Sequence, residues 1–99
     1  MDTVEINGDE YSLKCFDYIK KIQKTIKSEV CNTWIKEVGK EKALEQLESK
    51  DGKLIPDKYA EWCFEIGFNG ERTTLIFQNE QDAKEKYSEI LSKVHAYVC

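Results

Sequence analysis

Carboxylates are the reactive side chains that this sequence holds in greatest number, with 19 Asp and Glu among its 99 residues. Two pairs are spaced so that both members project from the outward face of a predicted strand pair: Glu5 with Glu10, and Glu61 with Glu65. Neighbouring carboxylates act as general acid and base only where burial raises the pKa of one of them. We expect all four to be exposed, so we predict that they bind a positively charged partner and do not catalyse a reaction.

A second candidate for chemistry is the single histidine, His95, which lies four residues before Cys99 on a predicted helix. The two side chains would share a helix face, as a Cys-His dyad or half of a metal site. The interpretation we favour is a histidine and a thiol near a frayed terminus. The four cysteines are 16, 32 and 36 residues apart, which matches no zinc pattern, and no glycine-rich phosphate loop occurs. We therefore predict free thiols, no metal, no cofactor and no enzymatic activity.

Lysines offer a different binding chemistry. Lys20, Lys24 and Lys27 would align along one edge of a predicted helix and could contact the phosphates of a nucleic acid. The net charge of −4 and the single arginine, Arg72, argue against that role. A solvated helix face explains the lysines without further assumption, and we favour that interpretation. A nucleic-acid-binding domain is therefore kept as the alternative to a protein-binding one.

Charge is distributed unevenly along the chain. Residues 1–13 hold four acidic residues and no basic one, whereas residues 14–27 hold five lysines against Asp17. Such an asymmetry steers a charged partner towards one part of the surface.

A two-residue β-turn at Asn7-Gly8 is predicted by the alternating apolar and polar residues on either side of it, and we call this unit the first hairpin. The turn would place Val4 opposite Tyr11 on the inward face. On the outward face it would place Glu5 opposite Glu10, a pair of like charges that suggests an exposed surface.

Asn69-Gly70 predicts a second hairpin with longer strands. If these are the two turn residues, Phe64 lies opposite Leu75 and Trp62 lies opposite Phe77. The large apolar side chains then share one face, and a slip of one residue would expose all of them. We expect this register to hold.

Helices are predicted between and after the hairpins. Apolar residues recur at intervals of three and four from Ile19 to Val38, which predicts an amphipathic helix ending at Gly39. A further helical stretch runs from Lys40 to about Ser49, before Asp51-Gly52 and Pro56. Whether residues 17–50 form one bent helix or two is left open. The last helix follows Asn79, a predicted N-cap.

The order of elements is therefore ββα(α)ββα, which predicts an α+β fold in a single domain over residues 1–99. We expect an antiparallel sheet of about four strands, with two or three helices packed on one face. Whether both hairpins belong to one sheet, and in what strand order, is left open. With no long apolar run and no basic, apolar leader, we expect a cytoplasmic protein without membrane contact.

The predicted function is a non-enzymatic protein-binding module, possible as a monomer or as a homodimer formed through free sheet edges. The acidic residues suit a basic partner, such as a nuclease or another nucleic-acid-binding protein. Small acidic inhibitors of this kind include toxin-immunity proteins and phage-encoded antagonists of bacterial defence. The sequence resembles them in size, acidity and lack of catalytic motifs, which leaves the partner and the source organism open.

Overall fold

The computed structural model of the chain describes residues 2–48 and 54–98, the latter without the side chain of Val98. The elements in chain order are β1 (Thr3–Ile6), β2 (Asp9–Ser12), β3 (Phe16–Ile19), β4 (Gln23–Ile26), α1 (Cys31–Val38), α2 (Lys40–Glu48), β5 (Ala60–Phe68), β6 (Glu71–Phe77) and α3 (Glu80–Val98). Single turns of 3-10 helix lie at Leu13–Cys15, Ser28–Val30 and Asp57–Tyr59. The predicted α+β class is confirmed.

The first hairpin has the predicted register, with Val4 opposite Tyr11 and Glu5 opposite Glu10. Its turn residues Asn7 and Gly8 both have positive φ, 53° and 87°, as a tight hairpin turn requires. Strands β1 and β2 form a separate two-stranded sheet. The first hairpin is therefore not part of the main sheet.

The second hairpin also has the predicted register, with Phe64 opposite Leu75 and Trp62 opposite Phe77. Asn69 and Gly70 adopt φ values of 50° and 82° at its turn. Strand β5 is the centre of the four-stranded sheet, since β6 pairs along one of its edges and both β3 and β4 pair along the other. The prediction of an antiparallel sheet of about four strands is confirmed, although two of these strands come from a segment predicted to be helical.

The helix predicted from residue 17 onward is wrong over its first half. Residues 16–19 and 23–26 are strands β3 and β4, and α1 begins only at Cys31. The two strands lie end to end along β5, with Ile19 opposite Ile66 and Gln23 opposite Cys63. Three residues between these pairs, 20–22, thus lie opposite two residues of β5, 64 and 65, and a further irregularity lies between Phe16 and Tyr18. These irregularities in register put side chains three or four residues apart on one face, which imitates the spacing of a helix.

Two short helices and one long one complete the described part of the chain. Gly39, at a φ of 90°, separates α1 from α2, so the open question of one helix or two is answered by two. The predicted end of α2 at Ser49, and the break at Asp51-Gly52, lie outside the described residues. Helix α3 begins as predicted: the side-chain oxygen of Asn79 accepts a hydrogen bond of 2.8 Å from the backbone N–H of Asp82.

The core lies on one face of the four-stranded sheet and consists of two adjoining clusters. The first, between the first hairpin, the sheet and α3, contains Val4, Ile6, Leu13, Phe64, Ile66, Phe68, Leu75 and Ile90. The second contains Trp34, Ala43, Ile55, Tyr59, Ala60, Trp62 and Ala83. Ile22 and Phe77 pack against both. The helices and the first hairpin therefore cover the inward face of the sheet and leave its other face open.

Candidate functional site

The structure places the four predicted binding carboxylates on two different sheets. Glu5 and Glu10 lie on the outward face of the first hairpin, and Glu61 and Glu65 lie on the outward face of β5. The inward faces of both sheets contribute to the same core cluster. The two carboxylate pairs therefore belong to two surfaces and not one.

The open face of the four-stranded sheet, here called the outer sheet face, is mixed in charge. The pairing registers assign to it Tyr18, Gln23, Thr25, Glu61, Cys63, Glu65, Arg72, Thr74 and Ile76. The Nζ atom of Lys20 also reaches this face, because it lies 3.3 Å from Glu65. Lys20 and Arg72 balance Glu61 and Glu65, so this face does not carry the negative charge that favours a basic partner.

Glu65 is held by two neighbours and is only 23% exposed at its side chain. The Tyr18 hydroxyl donates a hydrogen bond of 2.5 Å to Oε2 of Glu65, the oxygen that Lys20 also contacts. These contacts lower the pKa of Glu65, and the hydrogen bond from Tyr18 is the largest cause. The same hydrogen bond raises the pKa of Tyr18. Glu65 is thus ionised at neutral pH but already paired.

Replacing the tyrosine hydroxyl tests this assignment. Tyr18→Phe should raise the pKa of Glu65 towards the ordinary glutamate value, because the largest stabilising contact of the carboxylate is lost. In the unmutated chain the folded pKa lies below the unfolded one. Ionised Glu65 therefore stabilises the fold above the unfolded pKa, and this contribution disappears as the pH falls through the folded pKa.

A carboxyl ¹³C NMR titration measures the change. Glu89 is the internal control, because its lowered pKa is due mainly to Lys86 and should not move. A Glu65 pKa that is the same in Tyr18→Phe would show that the hydroxyl does not hold this carboxylate.

The first hairpin is different, because its carboxylates are exposed and unpaired. Asp2, Glu5, Asp9 and Glu10 are all exposed. No ion pair or side-chain hydrogen bond within the described residues involves any of the four. Glu5 and Glu10 share the outward face of the hairpin, whereas Asp9, opposite Ile6, and Asp2 fall on the other face by strand alternation. We call the outward pair, Glu5 and Glu10, the acidic hairpin surface. It is a concentration of negative charge that the described part of the chain leaves without a counter-ion.

The three lysines of the alternative prediction do not form a helix stripe, and that expectation is wrong. Lys20 follows β3, Lys24 lies within β4 and Lys27 comes directly after it. Lys24 faces inwards, since it lies opposite Trp62; its Nζ is 2.6 Å from Asp57 and 5.7 Å from the centre of the Trp62 ring. Lys20 pairs with Glu65. Two of the three cations are therefore used within the molecule.

Three cysteines lie within the described residues. Cys15, Cys31 and Cys63 are free and half-buried, and burial raises the pKa of Cys63, so its thiol is protonated at neutral pH. Residues 2–48 and 54–98 contain no group of three metal-binding side chains. The pairing of His95 with Cys99 falls outside the described residues because of Cys99.

A shallow depression on the outer sheet face contains a thiol, that of Cys63, and a carboxylate, that of Glu65. Its volume is about 180 Å³, and it is lined by Lys20, Lys21, Gln23, Cys63, Phe64, Glu65 and Thr74. The thiol there is protonated and the carboxylate is paired with Tyr18 and Lys20. The lining therefore offers contacts for a bound surface and no matched nucleophile and base.

Sequence reasoning missed the partners of Glu65. Tyr18 packs across Gly67, where an added Cβ would lie 2.3 Å from Cε1 of its ring. A glycine inside a strand is a signal of such a close approach. The sequence pattern does not identify Tyr18 as the neighbour of this glycine, because it predicts helix for residues 17–50 and so gives Tyr18 no place beside β5.

Comparison with known proteins does not assign this chain to a family. No protein-family description, curated protein or solved structure matches the chain. Among the residues described, no helix combines the length and apolar character needed to cross a bilayer. The function must therefore be argued from the surfaces themselves.

Proposed function

We propose that this chain is a non-enzymatic, cytoplasmic protein-binding module that captures a basic partner on its acidic hairpin surface. The observation that carries the proposal is the pair of exposed carboxylates directly opposite each other, Glu5 and Glu10, without a described counter-ion. Of the four predicted binding residues, Glu5 and Glu10 belong to this surface. Glu61 and Glu65 lie on the outer sheet face.

The register brings the two glutamates close together. Ile6 and Asp9 flank the two-residue turn and are a hydrogen-bonded pair, so Glu5 and Glu10 form the next, non-hydrogen-bonded pair. Side chains approach more closely in such pairs, and like charges directly opposite each other are destabilising. A lysine or arginine of a partner, placed between the two carboxylates, would relieve the repulsion and gain two charge-assisted hydrogen bonds.

The surface is also well anchored. Val4 and Ile6, on the opposite face of β1, are buried to 1% and 0% exposure, and Tyr11 stacks on Phe68 at 4.9 Å between ring centroids. A binding site on a packed strand loses little conformational freedom when it binds. The acidic hairpin surface is thus suited to recognise a partner without rearranging.

Charge complementarity defines the class of partner. A pair of neighbouring carboxylates competes with phosphates for the lysines and arginines of a nucleic-acid-binding surface. We therefore propose a nuclease or another nucleic-acid-binding protein as the target. The chain would act as its inhibitor, in the manner of immunity proteins or phage antagonists of bacterial defence.

Matched pairs of neutralised glutamates test the proposal. Glu5→Gln/Glu10→Gln should weaken partner binding about tenfold or more, since one lost charge-assisted contact of about 1.4 kcal/mol has that effect. Glu41→Gln/Glu45→Gln changes two exposed glutamates of α2 and gives the same net charge, so it should bind like the unmutated chain. Capture from a lysate of the native cell or its host, followed by titration of the retained protein, measures both.

Two outcomes would contradict the proposal. Equal losses in both variants would mean that only net charge matters and that no surface is specific. A loss confined to a third variant, Glu61→Gln/Glu65→Gln, would move the binding surface to the outer sheet face.

Lost binding could also result from unfolding. The variant Glu10→Lys distinguishes the two causes. A lysine opposite Glu5 replaces repulsion by attraction, so the free energy of unfolding should rise by roughly 0.2–1 kcal/mol. Binding of a basic partner should nevertheless fall. Urea unfolding and the capture assay, run on the same sample, should move in opposite directions. If Glu10→Lys is both less stable and weaker in binding, partial unfolding would explain the lost binding, and the result would count against the proposal.

A further inference from the structure

The two edges of the four-stranded sheet are built differently. Strand β6 pairs with β5 in unbroken register from Trp62 and Phe77 to Phe68 and Glu71. No described strand pairs with the other edge of β6. A straight strand of seven residues without proline or lysine is the kind of edge to which another strand adds.

The opposite edge is protected. β3 and β4 are interrupted by two irregularities in register, and bulges discourage a further strand from pairing. This edge also carries Lys20, Lys21, Lys24 and Lys27, and Lys24 points inwards. Bulges, lysines and inward charges are the devices by which proteins block an edge. The β6 edge has no bulge and no lysine, and the one charge at an inward position, Glu71, is exposed next to the turn.

The turn geometry determines which backbone groups of β6 are free. A two-residue turn makes Phe68 and Glu71 a hydrogen-bonded pair, and the pattern alternates from there. Residues 71, 73, 75 and 77 therefore direct their N–H and C=O groups to β5. Arg72, Thr74 and Ile76 direct theirs outwards, and no backbone hydrogen bond within the described residues uses them.

We propose that this edge pairs with β6 of a second copy of the chain, antiparallel and centred on Thr74. That register satisfies all outward backbone groups of both strands, with about six hydrogen bonds between them. It is the register with the longest overlap of free groups. The result is a two-fold symmetric dimer with one continuous sheet.

The side chains fit this register. On the outer sheet face Thr74 meets Thr74 of the second copy, and Arg72 meets Ile76 of the second copy. Ile76 is 56% exposed, and the aliphatic part of an arginine can cover it. No like charges lie directly opposite each other, and a threonine pair is favourable. The inference is independent of the acidic hairpin surface, which lies on another sheet.

Sedimentation equilibrium over a range of concentrations tests the dimer. The weight-average mass of the unmutated chain should rise from the monomer value of 11.6 kDa towards twice that value. Thr74→Lys places two like charges opposite each other at the centre of the seam, so its dimer should dissociate at least tenfold more readily. Ser88→Lys, an exposed position on α3, makes the same charge change and should not alter the mass curve.

Amide hydrogen exchange on the unmutated chain locates the seam without any substitution. At low concentration the amides of Arg72, Thr74 and Ile76 should exchange fast and those of Thr73 and Leu75 slowly. At high concentration the first set should slow. Any one of three results would overturn the proposal: a mass that stays at 11.6 kDa, a Thr74→Lys chain that dimerises normally, or an exchange pattern that does not change with concentration.

Discussion

Trp34→Ala should lower the free energy of unfolding by about 3–5 kcal/mol, the usual cost of removing a large aromatic side chain from a core. Trp34 is 0% exposed and is the one buried residue of α1. It packs in the second core cluster with Trp62 and Tyr59. Because small domains are stable by only about 5–15 kcal/mol, the variant should lose a large part of its stability.

Urea unfolding followed by circular dichroism measures this loss, and the fluorescence of the remaining Trp62 gives an independent signal. Trp34→Phe is the matched control. The indole Nε1 of Trp34 is buried and has no hydrogen-bond partner among the described residues. An unsatisfied buried donor costs about 1–3 kcal/mol, and phenylalanine removes it, so Trp34→Phe should cost far less than Trp34→Ala. A loss below about 1 kcal/mol for Trp34→Ala would contradict the packing described here.

Gly67→Ala should destabilise the fold by about 1–3 kcal/mol, although alanine is normally the better strand residue. The new Cβ would lie 2.3 Å from Cε1, 2.7 Å from Cδ1 and 2.9 Å from Cζ of Tyr18. The body of the ring must therefore move, and its hydroxyl would leave Glu65. The pKa of Glu65 should rise together with the loss of stability.

A double-mutant cycle separates this clash from a general effect of glycine. With Tyr18→Ala as the background, the ring is absent and Gly67→Ala should become neutral or stabilising, by up to roughly 0.5–1 kcal/mol. The effect of Gly67→Ala on the free energy of unfolding thus changes sign when the ring of Tyr18 is removed. If Gly67→Ala costs the same in both backgrounds, the tyrosine is not the reason for the glycine.

Both hairpins and α3 could be predicted because their signals are local. Asn-Gly turns fix the register of the strands that flank them, and Asn79 marks the start of α3 by its own hydrogen bond. None of these features depends on a distant part of the chain. The structure confirms them residue by residue.

Strands β3 and β4 could not be predicted, because the pattern that defines them is not the alternation of a regular strand. Phe16 and Ile19, three residues apart, both face the core, as do Ile66 and Phe68 opposite them. Lys24 occupies an inward position that a sequence pattern assigns to an apolar residue, and it is tolerated there because Asp57 pairs with it. Bulges and a compensated charge are visible only once β5 is in place.

For the candidate site, the structure can be compared only with the predicted direction of the four carboxylates. Strand alternation directed Glu5, Glu10, Glu61 and Glu65 outwards, and the register of each hairpin confirms this. Alternation alone does not say on which side of the core a sheet lies. The separation of the two pairs, and the pairing of Glu65 with Tyr18 and Lys20, depend on long-range packing that a one-dimensional pattern does not contain.

The central place of β5 has a consequence for how the chain assembles. Its pairing with β6 closes only a two-residue turn, whereas Ile26 and Ala60, which pair at the β4 end, are 34 residues apart in sequence. Closing the longer loop costs more chain entropy, and non-local pairings of this kind slow folding. The topology thus divides assembly into a quick local step and a late long-range one. Until β3 and β4 pair with β5, the edge of β5 opposite β6 is exposed to solvent with its backbone groups unpaired.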